Sequence, residues 1–136
     1  MPGDRTTSAP TARPAVLIVD DDPDIRDAIG YCLEAEGYDV HTARDGKEAL
    51  DLLSFGLRPA VIFLDLMMPV VSGFGVLVEL RKSTEWQTIP VVIFTATHDS
   101  NAGDLDGAFA ILRKPASLDA VLASARQAIG VRGAQA

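Results

Sequence analysis

The sequence predicts an α/β protein, a parallel sheet covered by helices on both faces. Three observations carry that reading. Short continuous apolar runs at 16–19, 61–64, 91–94 and 108–112 have the composition of strands buried on both sides. Between them lie segments whose apolar residues recur at helical spacing. Polar, chemistry-bearing residues stand at or just after the ends of the runs: Asp20 and Asp21, Asp65, Thr95 and Lys114. Strand–helix alternation with buried strands implies a parallel sheet, and right-handed crossovers restrict its topology. All five residues then emerge at the carboxyl edge, where open α/β sheets bind ligands.

The elements follow in order. The run 15–19 is the first buried strand. Asp22-Pro23 breaks it and opens a helix, with proline at a tolerated early position. Ile25, Ala28, Ile29, Cys32 and Leu33 form that helix's apolar stripe, and Gly37 stops it. Tyr38, Val40 and Thr42 alternate, as in a strand nearer a sheet edge. Asp45-Gly46 turns into a second helix carrying Ala49, Leu50 and Leu53, closed by Gly56 and Pro59. The run 60–64 is the next buried strand. A loop bearing proline and glycine, 68–73, leads to a third helix with Phe74, Leu77, Val78 and Arg81. Pro90 precedes the strand 91–94. A helix is due between Thr95 and Phe109, but that stretch carries Gly103, Gly107, Ser100 and Asn101, with only Ala102 and Leu105 for a stripe. The expectation there is a short or irregular helix. The run 108–112 is the last strand. Ser117 then caps a final helix with Leu118, Val121, Leu122, Ala125 and Ile129 on one face.

At 136 residues the chain has the length of one domain, and 48% apolar residues suffice for a core. The reading divides it into a disordered leader over 1–14, a folded domain over 15–131 and a flexible tail over 132–136. The net charge of −7 argues against a phosphate-backbone partner, so no nucleic acid is expected. Cys32 is the single cysteine, which rules out an intramolecular disulfide and suits a reducing compartment. No apolar stretch approaches the roughly 20 residues of a membrane span, and the start of the chain lacks a secretory signal's hydrophobic segment. The expectation is a cytoplasmic protein without a membrane partner.

Three carboxylates at one edge cannot all stay ionised unless positive charge joins them. Lys114 supplies one such charge, and a hard divalent cation would supply the rest.

The segments VLIVDDDPDIR at 16–26, IFLDLMMP at 62–69, VIFTA at 92–96 and LRKP at 112–115 together resemble a response-regulator receiver domain of two-component signalling. The resemblance covers about residues 15–129. It implies a doubly wound, flavodoxin-like five-stranded sheet of order 2-1-3-4-5. It also implies transfer of a phosphoryl group to Asp65 from a sensor histidine kinase or a histidine phosphotransfer protein. By the same match, Asp20, Asp21 and Asp65 hold Mg²⁺, or Mn²⁺ in its place, with the Met67 backbone carbonyl. Thr95 is the switch hydroxyl, Lys114 pairs with a phosphate oxygen, and Pro115 follows a cis peptide bond.

The chain departs from the family pattern at several points. Ile111 stands where receivers carry an aromatic that turns inward on activation. The Thr95–Lys114 interval is shorter than usual by about three residues, close to one helical turn. Ser72 and Gly75 replace acidic residues. Met67, two residues after Asp65, cannot orient an attacking water, so a long-lived phosphoryl group is expected.

Because the sequence stops just after its last helix, the expected output is a downstream protein target or a phosphorelay, from a monomer or weak dimer. A receiver-like adaptor that binds a partner without phosphorylation is the alternative. A dehalogenase-type phosphatase is disfavoured, because it would want an aspartate where Met67 stands.

Overall fold

The computed structural model describes residues 13–68, 70–96 and 108–135, with side chains described as far as residue 130. The helix expected within 97–107, the leader over 1–12 and Pro69 lie outside the described residues. The elements are β1 (Ala15–Val19), α1 (Pro23–Ala35), β2 (Asp39–Ala43), α2 (Gly46–Ser54), β3 (Val61–Leu64), α3 (Gly73–Lys82), β4 (Val91–Thr95), β5 (Ala110–Arg113) and α4 (Leu118–Gln135).

The five strands are parallel and ordered β2-β1-β3-β4-β5. Period-two alternation divides their side chains between two cores. Leu17, Val19, Ile62, Leu64 and Ile93 face α2 and α3, where Ala49, Leu53, Val76, Leu77 and Leu80 close over them. Val16, Ile18, Val61, Phe63, Val92 and Phe94 face α1 and α4, against Ile29, Leu33, Val121, Ala125 and Ala128. The central strands are buried on both faces, as their unbroken apolar runs require. The edge strand β5 alternates between half-buried and exposed residues.

Side-chain caps form at four helix starts, the one at Ser117 as predicted. The Asp22 carboxylate accepts the Asp24 N–H at 2.9 Å, with Pro23 in the first turn of α1. The Asp45 side chain caps α2 through the Glu48 N–H at 2.8 Å. Ser117 accepts the Ala120 N–H at 3.0 Å at the start of α4. Ser72 caps α3 through the Gly75 N–H. The serine that departs from the family pattern thus supplies a hydroxyl acceptor where α3 begins.

Three element details differ from the sequence reading. The buried stripe of α3 is Val76, Leu77 and Leu80, with Val78 exposed, because the helix starts at Gly73 and its phase follows from there. Strand β5 begins at Ala110 rather than 108, although the Phe109 N–H already bonds the Val91 carbonyl at 2.8 Å. Helix α4 runs to Gln135, past the expected boundary at 131. An interior glycine such as Gly130 costs a helix only about 1 kcal/mol, which is not a stop. Trp86 is half-buried against the α2–α3 core, in keeping with a packing role. No helix among the described residues is long and apolar enough to cross a membrane.

Candidate functional site

Strands β1 and β3 lie side by side, yet their helices leave toward opposite faces of the sheet, and Asp20 and Asp65 follow these two strands directly. The ladder extends to both. The Asp65 N–H donates to the Val19 carbonyl at 2.9 Å, and the Asp20 N–H donates to the Ala43 carbonyl at 3.1 Å. At the other side of the edge, the Lys114 N–H donates to the Thr95 carbonyl at 2.8 Å. Parallel pairing therefore brings residues far apart in the chain to one rim.

Asp20, Asp65 and Thr95 are buried, whereas Asp21 is exposed. One carboxylate oxygen each from Asp20, Asp21 and Asp65 lies within 4.8 Å of the others. The Lys114 ammonium donates to Asp20 Oδ2 at 2.7 Å and stands 3.5 Å from Asp65 Oδ2. Asp65 Oδ1 accepts the Met67 N–H at 3.2 Å. Asp20 Oδ1 accepts the Asp22 N–H at 2.9 Å. The peptide bond between Lys114 and Pro115 is cis.

These surroundings set the protonation of two groups. Burial pushes the Asp65 carboxyl above its ordinary value, and the nearby Asp20 charge adds to this. The Met67 N–H and the Lys114 ammonium pull the other way without cancelling it. Burial works against the Lys114 ammonium, but the hydrogen bond and charge of Asp20, with Asp65 behind them, hold its pKa above the usual lysine value.

The donor set consists of carboxylate oxygens, without nitrogen or sulfur, which is the chemistry of a hard divalent cation. Octahedral oxygens at about 2.1 Å from Mg²⁺ lie roughly 3–4 Å apart, so small side-chain rotations would bring the three carboxylates to that spacing. The residues fit such an ion.

The two remaining sequence candidates behave differently. The Met67 side chain is 64% exposed, and it is the residue's N–H that touches Asp65. Ile111 is 42% exposed and pairs with Ile93 across β4–β5, on the sheet face of α2 and α3. It does not join the carboxylate cluster.

Three neighbours escaped the sequence reading. The Arg26 guanidinium donates to the Asp20 carbonyl at 2.6 Å, one turn into α1. The Phe94 ring lies 5.2 Å from the Lys114 ammonium. Gly73 sits against the Asp65 backbone, where a Cβ would come within 2.3 Å of the Asp65 carbonyl oxygen. Only the third left a signal, a glycine at the end of the loop that follows the nucleophile candidate.

Residues 16–126 match the response regulator receiver domain family model. The chain belongs to this family. As a receiver domain it is similar to the DNA-binding dual master transcriptional regulator RpaA of Synechocystis sp., at 41% identity over 83% of this chain and 48% of the relative. It is also similar to the response regulator MprA of Mycolicibacterium vanbaalenii, at 38% identity over 82% of this chain and 48% of that protein. The chain thus spans about half the length of these curated relatives. Among solved structures, it resembles the Vibrio cholerae chemotaxis protein CheY4, at 32% identity with a TM-score of 0.79, over 86% of this chain and 99% of that one. It resembles a Francisella response regulator receiver domain similarly, at 34% identity and a TM-score of 0.78, over 88% of this chain and 99% of that one. Receiver domains are the modules of two-component signalling that take phosphoryl groups from histidine kinases.

Proposed function

We propose that this receiver domain accepts a phosphoryl group on Asp65 from a histidine kinase or a histidine phosphotransfer protein in a Mg²⁺-dependent reaction. It would act as a cytoplasmic signalling module rather than a turnover enzyme, passing its state to a protein partner or along a phosphorelay. The observation that carries this reading is the buried Asp65 carboxylate, held beside Asp20, Asp21 and the Lys114 ammonium at the edge of the sheet.

In the reaction, an Asp65 oxygen forms a bond to phosphorus as the P–N bond of the donor phosphoimidazole breaks. The bonding electron pair returns to the imidazole nitrogen. Such a transfer needs alignment and charge stabilisation more than acid–base chemistry. The Met67 N–H fixes one Asp65 oxygen and leaves the other for attack. The Lys114 ammonium stands where an arriving phosphoryl oxygen could exchange for Asp20. Thr95, at the end of β4, would donate its hydroxyl to another phosphoryl oxygen. Asp20, Asp21, Asp65 and the Met67 carbonyl would hold Mg²⁺, or Mn²⁺, which when bound neutralises charge on the phosphoryl oxygens.

The acidic balance of the chain favours a protein target over nucleic acid for this domain. The relative named as DNA-binding is about twice as long, so its activity does not transfer to this domain by itself. Incubation with Mg²⁺ and acetyl phosphate, followed by intact mass, tests the reading. One added phosphoryl group on the wild type and none on Asp65→Asn is the expected result. No uptake from acetyl phosphate or from any phosphohistidine donor would refute it and favour the constitutive adaptor.

A further inference from the structure

We propose that Phe94 is this domain's aromatic reporter, coupled to phosphorylation through Lys114 and read out on the α1–α4 face of the sheet. The inference rests on the phosphoacceptor reading above and goes beyond it, since it assigns the conformational output.

The position three residues before Lys114, which holds the aromatic in the resemblance, is Ile111. It is exposed, has no ring to relocate, and lies on the α2–α3 side of the sheet. A ring does lie against the phosphorylation site, but on the other side. Phe94 immediately precedes Thr95, and its ring stands 5.2 Å from the Lys114 ammonium, within the range where a cation is drawn to a ring face. The same ammonium bonds Asp20 at 2.7 Å and lies 3.5 Å from Asp65. It therefore touches the acidic cluster and lies against an aromatic ring at once.

A phosphoryl group on Asp65 would place dianionic oxygens beside this ammonium. The ammonium would turn from Asp20 toward them, because the added charge is larger and closer to Asp65. Its relation to the Phe94 ring must then change. The ring has room to follow. It borders an apolar cavity of about 470 Å³ walled by Ile25, Ile29, Pro115 and Leu118, larger than a single aromatic ring. Phe94 is otherwise packed within the α1–α4 core, so its movement is transmitted to that face. Interiors respond to such shifts by switching between packings rather than by deforming smoothly.

The test is NMR of the full chain with ¹³C-labelled Ile and Leu methyls and Phe rings, titrated with Mg²⁺ and then with beryllium fluoride, a phosphoryl mimic. In the wild type the Phe94 ring and the methyls of Ile25, Ile29 and Leu118 are expected to shift together at saturation, with Ile111 moving less. In Phe94→Leu, at a saturating concentration, the Met67 amide should still report occupancy of Asp65, while the three methyls lose most of their displacement. An unmoved Phe94 ring in the wild type overturns the proposal, and so do methyl shifts that survive in Phe94→Leu. If the variant does not fold, the wild-type ring measurement decides alone. A Met67 amide unmoved by beryllium fluoride in the wild type would refute the phosphoacceptor reading itself, and the inference with it.

Discussion

Replacing Gly73 by alanine should damage both stability and phosphorylation, although the added group is one methyl. The Cβ would sit 2.3 Å from the Asp65 carbonyl oxygen and 2.7 Å from Leu66 Cα. These positions are about 1 Å inside ordinary van der Waals contact, and both belong to backbone rather than to a side chain that could rotate away. The start of α3 must therefore retreat from the end of β3. Overpacking of this kind costs about 1–3 kcal/mol, which at this length lowers Tm by roughly 5–10 °C for a 2 kcal/mol loss. The retreat also drags on Asp65, and a misplacement of about 1 Å can cost a reaction on the order of 10²-fold. Gly75→Ala is the internal control, two residues further into the same helix. Its Cβ meets side chains alone, Val71 at 3.1 Å and the Ser72 hydroxyl at 4.0 Å, and alanine is the better helix former. It should melt within about 2 °C of wild type or higher. Thermal melts followed by circular dichroism, with acetyl phosphate uptake rates, would check the pair. If Gly73→Ala matches Gly75→Ala in both assays, then close approach at Gly73 does not set the nucleophile's position.

The other predictions address charge, lifetime and capping. Asp65→Asn should raise Tm in EDTA at neutral pH while abolishing phosphoryl uptake, because burial and Asp20 disfavour the ionised Asp65 and Lys114 keeps Asp20 as its partner. The sign follows from the raised folded-state pKa. The Asp65 contribution to stability is present below the ordinary carboxylate range, about 3.9, and is lost as pH rises through the higher folded value. The advantage of the variant should therefore vanish in acid, and an advantage that persists there would reject the cause. Met67→Asn should shorten the phosphoryl lifetime several-fold, measured by the decay of the phosphorylated mass after donor removal, since an exposed amide beside Asp65 could orient water where a thioether cannot. Ser117→Ala should lower stability by about 1 kcal/mol in urea titrations through loss of the α4 cap, with phosphoryl uptake retained.

The sheet and the acidic rim were legible because they rest on short-range signals. Buried parallel strands show as unbroken apolar runs, and the residue following each strand must emerge at the edge whatever the helices do. Asp20, Asp65 and Lys114 are placed by that rule, and Thr95 by closing β4 at the same edge. The phase of α3 was harder to read. The sequence reading puts Val78 on the apolar stripe and leaves Val76 out, whereas the helix phase from Gly73 turns Val76 inward and Val78 out. Arg26 and Phe94 left no usable signal. Arg26 reads as an ordinary charge near a helix start, and Phe94 reads as one more strand residue. Their roles depend on which side chains a folded sheet brings to Asp20 and Lys114.

The charge balance of the rim explains why one lysine can serve several ends. Asp20, Asp21 and Asp65 with Lys114 leave two negative charges uncompensated, the amount that one divalent cation offsets. The Lys114 ammonium lies nearer to the buried Asp20 than to Asp65, which is left desolvated and only partly neutralised. This arrangement costs stability, but it keeps the Asp65 oxygens from being tied up in a close ion pair. An ammonium bound tightly to Asp65 would stabilise the fold and blunt the nucleophile. On the phosphoacceptor reading, the 2.7 Å and 3.5 Å distances would leave Lys114 able to meet a phosphoryl oxygen, with the Phe94 ring 5.2 Å away. On the phosphoacceptor reading, electrostatic strain at this edge would be part of how the domain responds to a phosphodonor.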